Sequence, residues 1–197
     1  MIKRIIKKFL YKIQKSVFRF IGDIKWSGWK RPLWFTINAI GYQLKGEHYR
    51  KIIKKIKPGD ILLRRFEGYI DKWFIPGWLN HAGIFYGGKK EQVIHALSEG
   101  VIKEDILNFM RTDHMIILRP PQNMVKEALK RARSIVGLEY DFDFDFGNAQ
   151  KFSCTEVIDY CYPELIIPKR RFGRKTIVAD DILNTKELKI IWDSRKE

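Results

Sequence analysis

Two alternating runs of β-forming residues, NHAGIFYGG at 80–88 and QVIHALSEG at 92–100, flank the pair Gly87-Gly88. Apolar side chains alternate with small or polar ones through both runs, and the glycines allow a tight reversal between them. The pattern predicts an antiparallel hairpin, which commits the chain to a sheet. A hairpin centred on Gly88 sets His81 directly opposite His95 on one sheet face, with Cβ atoms about 4.5–5.5 Å apart. A loop one residue longer or shorter would destroy that register. In that register one imidazole can orient the other, and the second is then free to deprotonate a nucleophile.

The nucleophile is sought in GLEYDFDFDFGNAQKFSCTEVIDYCY at 137–162. Turn and strand residues precede Cys154, whereas Val157, Ile158 and Cys161 recur after it at helical spacing. Ser153 or Thr155 can cap that helix, so Cys154 falls in its first turn. Orphan N–H groups and the positive helix end stabilise a thiolate there, predicting a thiol pKa about a unit or more below the usual ~8.5. A buried structural cysteine is the alternative reading. Cys161 reads as core. The helix separates the two cysteines by about 10.5 Å, beyond the ~7 Å Cα limit of a disulfide. Both thiols are expected to be reduced, as in an intracellular compartment.

Six motifs occur in order: PGDILLRR (58–65), NHAGIFYGG (80–88), QVIHA (92–96), IILRPP (116–121), GLEYDFDF (137–144) and SCTE (153–156). Together with TIVADDIL at 176–183 they resemble the YiiX/YebB-like cysteine hydrolases, a circularly permuted branch of the NlpC/p60 papain-like superfamily. The resemblance spans residues 55–193. It implies an α+β fold, with a small antiparallel sheet and the nucleophile helix packed against it. It also implies Cys154 as nucleophile and His81 as base, the histidine preceding the cysteine in sequence. YiiX-like members often carry Glu where His95 stands, and a histidine there is more similar to the lecithin retinol acyltransferase-like relatives. Amide and lipid-acyl chemistry therefore both stay open.

A signed chain divides the sequence further. Of the net charge of +15, residues 1–57 carry +14, from 16 Lys/Arg against 2 Asp/Glu. Residues 58–197 are nearly neutral, with 22 against 21. The expected organisation is a basic helical segment at 1–57 and a hydrolase domain at 58–197. Residues 2–21 place Ile2, Ile5, Ile6, Phe9, Leu10, Ile13, Val17 and Phe20 on one helical face, with lysines and arginines on much of the remainder. The lysines interrupt any signal-peptide core or membrane span. A helix lying among anionic headgroups is the expectation, and packing on its own domain the alternative. Trp26, Trp29 and Trp34 suit either setting. A second basic helix is expected at 47–57, with His48 as a solvated surface residue.

Further along, residues 60–65 predict a strand, 101–110 a short helix, 115–119 a strand and 123–136 an amphipathic helix stopped by Gly137. His114 is expected in a turn. The aromatic stretch 69–80 reads as the rim of the site, making Trp78 and Asn80 candidates for substrate or oxyanion contacts alongside Tyr140. Asp141, Asp143 and Asp145 fail the calcium-loop pattern, because Phe146 and Phe152 stand where Gly and Glu are needed. No zinc spacing occurs, and the chemistry needs no cofactor.

The expected activity is thus a cysteine hydrolase of amidase or peptidase type, working through a thioester at a membrane surface. A lipid acyltransferase, phospholipase or thioesterase-like enzyme is the alternative. A third reading is a non-catalytic membrane- or nucleic-acid-binding protein on the same scaffold. The substrate would be an amide or acyl compound, lipid-linked in some cases. Nucleic acid is not an expected partner, because no groove-reading or RNA-binding module is present.

Overall fold

A computed structural model of the chain describes residues 6, 9, 10, 13, 24–26, 35–37, 42–67, 77–142, 146, 150–171 and 173–197. The chain forms two compact units, Met1–Gly41 and Tyr42–Glu197. In the first, β1 (Ile24–Trp26) pairs antiparallel with β2 (Phe35–Ile37). Ile6, Phe9, Leu10 and Ile13 are helical, and each is between 46% and 63% exposed. The other apolar residues of that expected face, and Trp29 and Trp34, lie outside the described residues.

The second unit begins before the hydrolase domain expected from sequence. Its first helix, α1 (Gly46–Ile52), belongs here because Ile52 is fully buried with Leu62 and Trp192. His48 is not merely solvated: its Nδ1 accepts the Lys45 N–H at 2.9 Å, and its ring meets Trp192 edge-on.

Six antiparallel strands make the central sheet: β3 (Ile61–Arg65), β4 (His81–Gly87), β5 (Gln92–Leu97), β6 (Gly100–Asp105), β7 (His114–Arg119) and β10 (Lys189–Asp193). Their spatial order is β10-β7-β3-β4-β5-β6. A separate hairpin joins β8 (Lys169–Arg171) to β9 (Arg174–Thr176). The short helices α2 (Ile106–Phe109) and α5 (Ala179–Leu183) flank the longer α3 (Gln122–Ser134) and α4 (Cys154–Cys161) in sequence.

Both faces of the central strands are buried, which is why ILL and MIIL read as continuous apolar runs rather than alternation. Ile61, Leu63, Ala82, Ile84 and Ile94 pack with Ala128 and Ala132 of α3 and with Val157 and Ile158 of α4. Leu62, Phe85, Val93, Met115 and Ile117 face the other way, against Ile106 and Phe109 of α2 and against Ile52. The fold is the expected α+β arrangement, with the Cys154 helix against a small antiparallel sheet. The helix expected at 101–110 is corrected. Residues Gly100–Asp105 pair along all of β5, and a helix starts only where Asp105 Oδ1 accepts the Leu107 N–H at 2.8 Å.

Candidate active site

Anchors at both ends hold β3 and β4 in place. Asp60 of the Pro-Gly-Asp turn is buried and takes two hydrogen bonds from Arg119, at 2.8 and 2.7 Å. Gly59 has φ of +94°, and its carbonyl accepts the Tyr162 hydroxyl at 2.5 Å, tying the turn to the end of α4. At the other end, Asp180 of α5 accepts the Leu79 N–H at 2.9 Å and so fixes the segment leading into His81. A Cβ on Gly77, where φ is +112°, would lie 2.4 Å from that carboxylate. The neighbouring Asp181 is held by Arg171 and Lys169 of β8 at 2.7–2.9 Å.

The hairpin turns one residue later than a centre at Gly88 requires. Ile84 faces Ile94 and Phe85 faces Val93, with a bulge between Phe85 and Gly87. His95 therefore stands opposite Gly83, and His81 lies diagonal to it. The shift of two positions in pairing keeps both imidazoles on the same face. Gly83 makes the approach possible, since a Cβ there would sit 2.9 Å from Val93, 3.0 Å from Phe109 and 3.2 Å from His95 Cβ. His81 Nε2 meets His95 Nδ1 at 2.9 Å, with the rings nearly perpendicular.

Two charged residues that the sequence reading did not single out complete the cluster. Glu104 of β6 brings Oε2 to 3.1 Å from His95 Nε2, at ion-pair distance but without the alignment of a full hydrogen bond. Arg64, directly across from His81 on β3, is buried. It stacks on Phe109 with 4.1 Å to the ring centroid and donates Nη1 to the Phe109 carbonyl at 2.9 Å. Burial lowers its pKa to about 10, which leaves it charged at neutral pH. Its position was legible only from strand pairing. Glu104 was hidden by the helical reading of its segment.

Burial, Arg64 and the neighbouring His95 together hold His81 well below the usual histidine range. His95 is lowered mainly by burial and also by Arg64, against the upward pull of Glu104. The close contact with His95 holds the Glu104 carboxyl below its ordinary value, aided by Arg64 and Arg111. Both shifts favour the neutral imidazole at neutral pH.

Cys154 opens α4 as expected, with Ser153 at the cap position. Glu156 accepts the Ser153 N–H at 2.6 Å and the Phe146 N–H at 3.0 Å, which pins the preceding loop to the helix start. The Ser153 Oγ half of this capping box is not closed by a well-formed bond. Backbone N–H groups of Ala82, Thr155 and Cys154 all engage the Cys154 sulfur. The Ala82 contact brings that sulfur to the residue directly after His81.

The expected depressed thiol pKa is corrected. Burial raises it, and outweighs the Ala82 N–H, Arg64 and the helix-start amides that pull it down. Burial thus favours the neutral thiol, as it favours the neutral forms of His81 and His95.

Among the other candidates, Tyr140 packs beside the core, and burial above all raises its pKa. Asn80 accepts the Phe66 N–H through Oδ1 at 3.2 Å, and its Nδ2 is buried without a partner. Trp78 has the guanidinium groups of Arg65 and Arg195 at 5.2 and 5.0 Å from its ring and packs against His114. His114 is not a turn residue. It opens β7 and meets Glu67 at 3.3 Å.

Burying two neutral histidines has a measurable consequence. Below pH about 6.5 the unfolded chain binds protons at these positions while the folded chain resists them. Stability should therefore fall as pH drops from about 7 towards 5.5, by up to about 1.4 kcal/mol per pH unit for each imidazole. Urea midpoints at several pH values check this. A folded His81→Gln/His95→Gln variant should show a flatter dependence, and an unchanged slope would contradict neutral burial.

The sequence matches, over residues 55–191, the family described as permuted papain-like amidase enzyme, YaeF/YiiX, C92 family. Among solved structures, the crystal structure of metalloprotein yiiX from Escherichia coli O157:H7 is similar, with a TM-score of 0.61 at 13% identity. The match covers 71% of this chain and 98% of that one. No curated protein matches. That neighbour is described as a metalloprotein. Here, among the described residues, no three His, Cys, Asp or Glu side chains gather as a metal site. The facing nitrogens of His81 and His95 are engaged with each other.

Proposed function

The chain belongs to the permuted papain-like amidase family, and from that premise we propose that it cleaves amide bonds through a Cys154 thioester at an anionic membrane surface. His81 is the base in this reading. One observation carries it: the Cys154 sulfur takes the N–H of Ala82, next to a histidine whose Nε2 is engaged by a second imidazole. The remaining His81 nitrogen, Nδ1, is the one left for the thiol.

Because thiol and imidazole both rest neutral, proton transfer accompanies attack. The thiol proton passes to His81 Nδ1 as the sulfur bonds to the substrate carbonyl carbon, giving a tetrahedral oxyanion. The Cys154 N–H is the first oxyanion donor, with Tyr140 as a second candidate. Collapse breaks the C–N bond, and imidazolium returns the proton to the departing amine. Water, deprotonated by His81, then cleaves the thioester and restores the thiol.

A lipid-acyl substrate is the second reading. The exposed apolar side chains of Ile6, Phe9, Leu10 and Ile13 favour it, since they suit an enzyme working against lipid. Labelling with a peptidyl acyloxymethyl ketone, compared with a long-chain acyl β-lactone, tests both. Faster modification of Cys154 by the peptidyl probe is expected. The reverse preference selects the lipid reading, and an inert Cys154 with both probes removes thiol chemistry altogether.

A further inference from the structure

We propose that Glu104 is a positioning residue that sets the tautomers of both imidazoles and leaves His81 Nδ1 bare to accept a proton. The inference rests on His81 being the base. Three side chains on three adjacent strands form the chain of contacts: Glu104 Oε2 to His95 Nε2 at 3.1 Å, and His95 Nδ1 to His81 Nε2 at 2.9 Å.

The direction of the chain follows from donor and acceptor chemistry. An ionised carboxylate only accepts, so the His95 nitrogen facing it carries the hydrogen. A neutral imidazole has one N–H, so His95 Nδ1 must then accept. His81 Nε2 is consequently the donor, and its Nδ1 holds a lone pair. Running the chain the other way would set the His95 Nε2 lone pair against the carboxylate. It would also leave a hydrogen on His81 Nδ1, which could then accept nothing.

The surrounding charges favour a neutral chain with a single direction. Arg64 acts on both imidazoles and on Glu104, and Arg111 acts on Glu104 from beyond α2. Cys154 and Tyr42 act on Arg64 in turn. These cations oppose an extra proton on the imidazoles and keep Glu104 ionised. During attack, the proton arriving at His81 Nδ1 makes an imidazolium whose Nε2–H still donates to His95. Glu104 stabilises that charge through His95 without itself taking a proton. Glu104 acts only through His95 and His81, which makes it a positioning residue rather than a reacting one.

Long-range nitrogen–hydrogen NMR of histidine-labelled full-length protein reads the tautomers directly. Wild type should show His81 and His95 both as Nε2–H. Glu104→Gln, whose amide can donate as well as accept, should give mixed tautomers in one or both rings. It should also slow iodoacetamide alkylation of Cys154 near pH 7 by about tenfold or more, at an unchanged urea midpoint. Glu104→Leu, with no polar atom to offer, should likewise release the wild-type tautomers. A His81 Nδ1–H in wild type, or Gln and Leu variants that keep both tautomers and the alkylation profile, overturns the assignment. Expected tautomers beside an unreactive Cys154 would support Glu104 while removing the hydrolase reading, so the two fail separately.

Discussion

Cys154→Ala is expected to abolish hydrolysis and covalent labelling, and His81→Ala to lower the labelling rate by about 10²–10⁴. The thiol is held protonated by burial, so without a base little thiolate exists at neutral pH to attack. The first substitution removes the atom that bonds to substrate, and the second removes its only assigned proton acceptor. Cys161→Ala is the control. That residue is buried, and burial pushes its thiol up to about 12, so its loss should leave labelling intact. Modification mapped to Cys161 by mass spectrometry would show that the wrong thiol had been assigned. His95→Glu separates orientation from imidazole chemistry. A carboxylate can accept from His81 Nε2 as His95 Nδ1 does, but it meets Glu104 as a like charge. Activity should therefore be weak in the single variant and higher when Glu104→Gln is added. Complete inactivity of both folded variants would assign the imidazole of His95 a role beyond orientation.

Much of this site was legible because its local determinants are short. A cap residue, a cysteine and a helical spacing placed Cys154 at the start of α4. Alternation around Gly87-Gly88 gave the hairpin that brings His81 and His95 together. The register was missed by one residue at the turn, because glycines permit several loop geometries and a bulge adds a residue without changing the alternation. Gly83 was the overlooked signal: a glycine inside a strand marks a close approach, here of His95 and Phe109. Glu104 and Arg64 were less accessible. Their contacts depend on which strands neighbour β4 and β5, and strand order is a long-range property. Residues 101–110 contain spacings that fit a helix as well as a strand, and the helical choice put Glu104 on the wrong element. The thiol pKa failed for another reason. The helix start favours thiolate, as expected, but sequence reveals nothing of how much protein closes over the sulfur, and burial is the larger effect.

Full-length protein is expected to float with vesicles containing about one third anionic lipid, and Ile6→Asp/Phe9→Asp should float far less. No helix among the described residues is long and apolar enough to cross a membrane. Residues 1–57 hold 16 Lys/Arg against 2 Asp/Glu. Each cation near an anionic surface contributes roughly 1 kcal/mol, fading beyond a Debye length of about 8–10 Å. Ile6, Phe9, Leu10 and Ile13 follow the i, i+3, i+4, i+7 spacing of one helical face, and all are exposed. Burying a large aliphatic or aromatic side chain is worth about 1.5–3 kcal/mol, so losing two should weaken partitioning by more than about tenfold. The two aspartates also add two negative charges, so Ile6→Ser/Phe9→Ser, which keeps the net charge, separates lipid insertion from simple charge attraction and should likewise float less. Added salt should weaken wild-type flotation without eliminating it, because the apolar contribution is little screened. Salt alone cannot separate membrane from nucleic acid, since counterion release gives the same trend. A competing DNA duplex can. Vesicles should retain the protein in its presence. Flotation unaffected by the two aspartates, or protein drawn from vesicles onto duplex DNA, would assign the basic segment to a different partner.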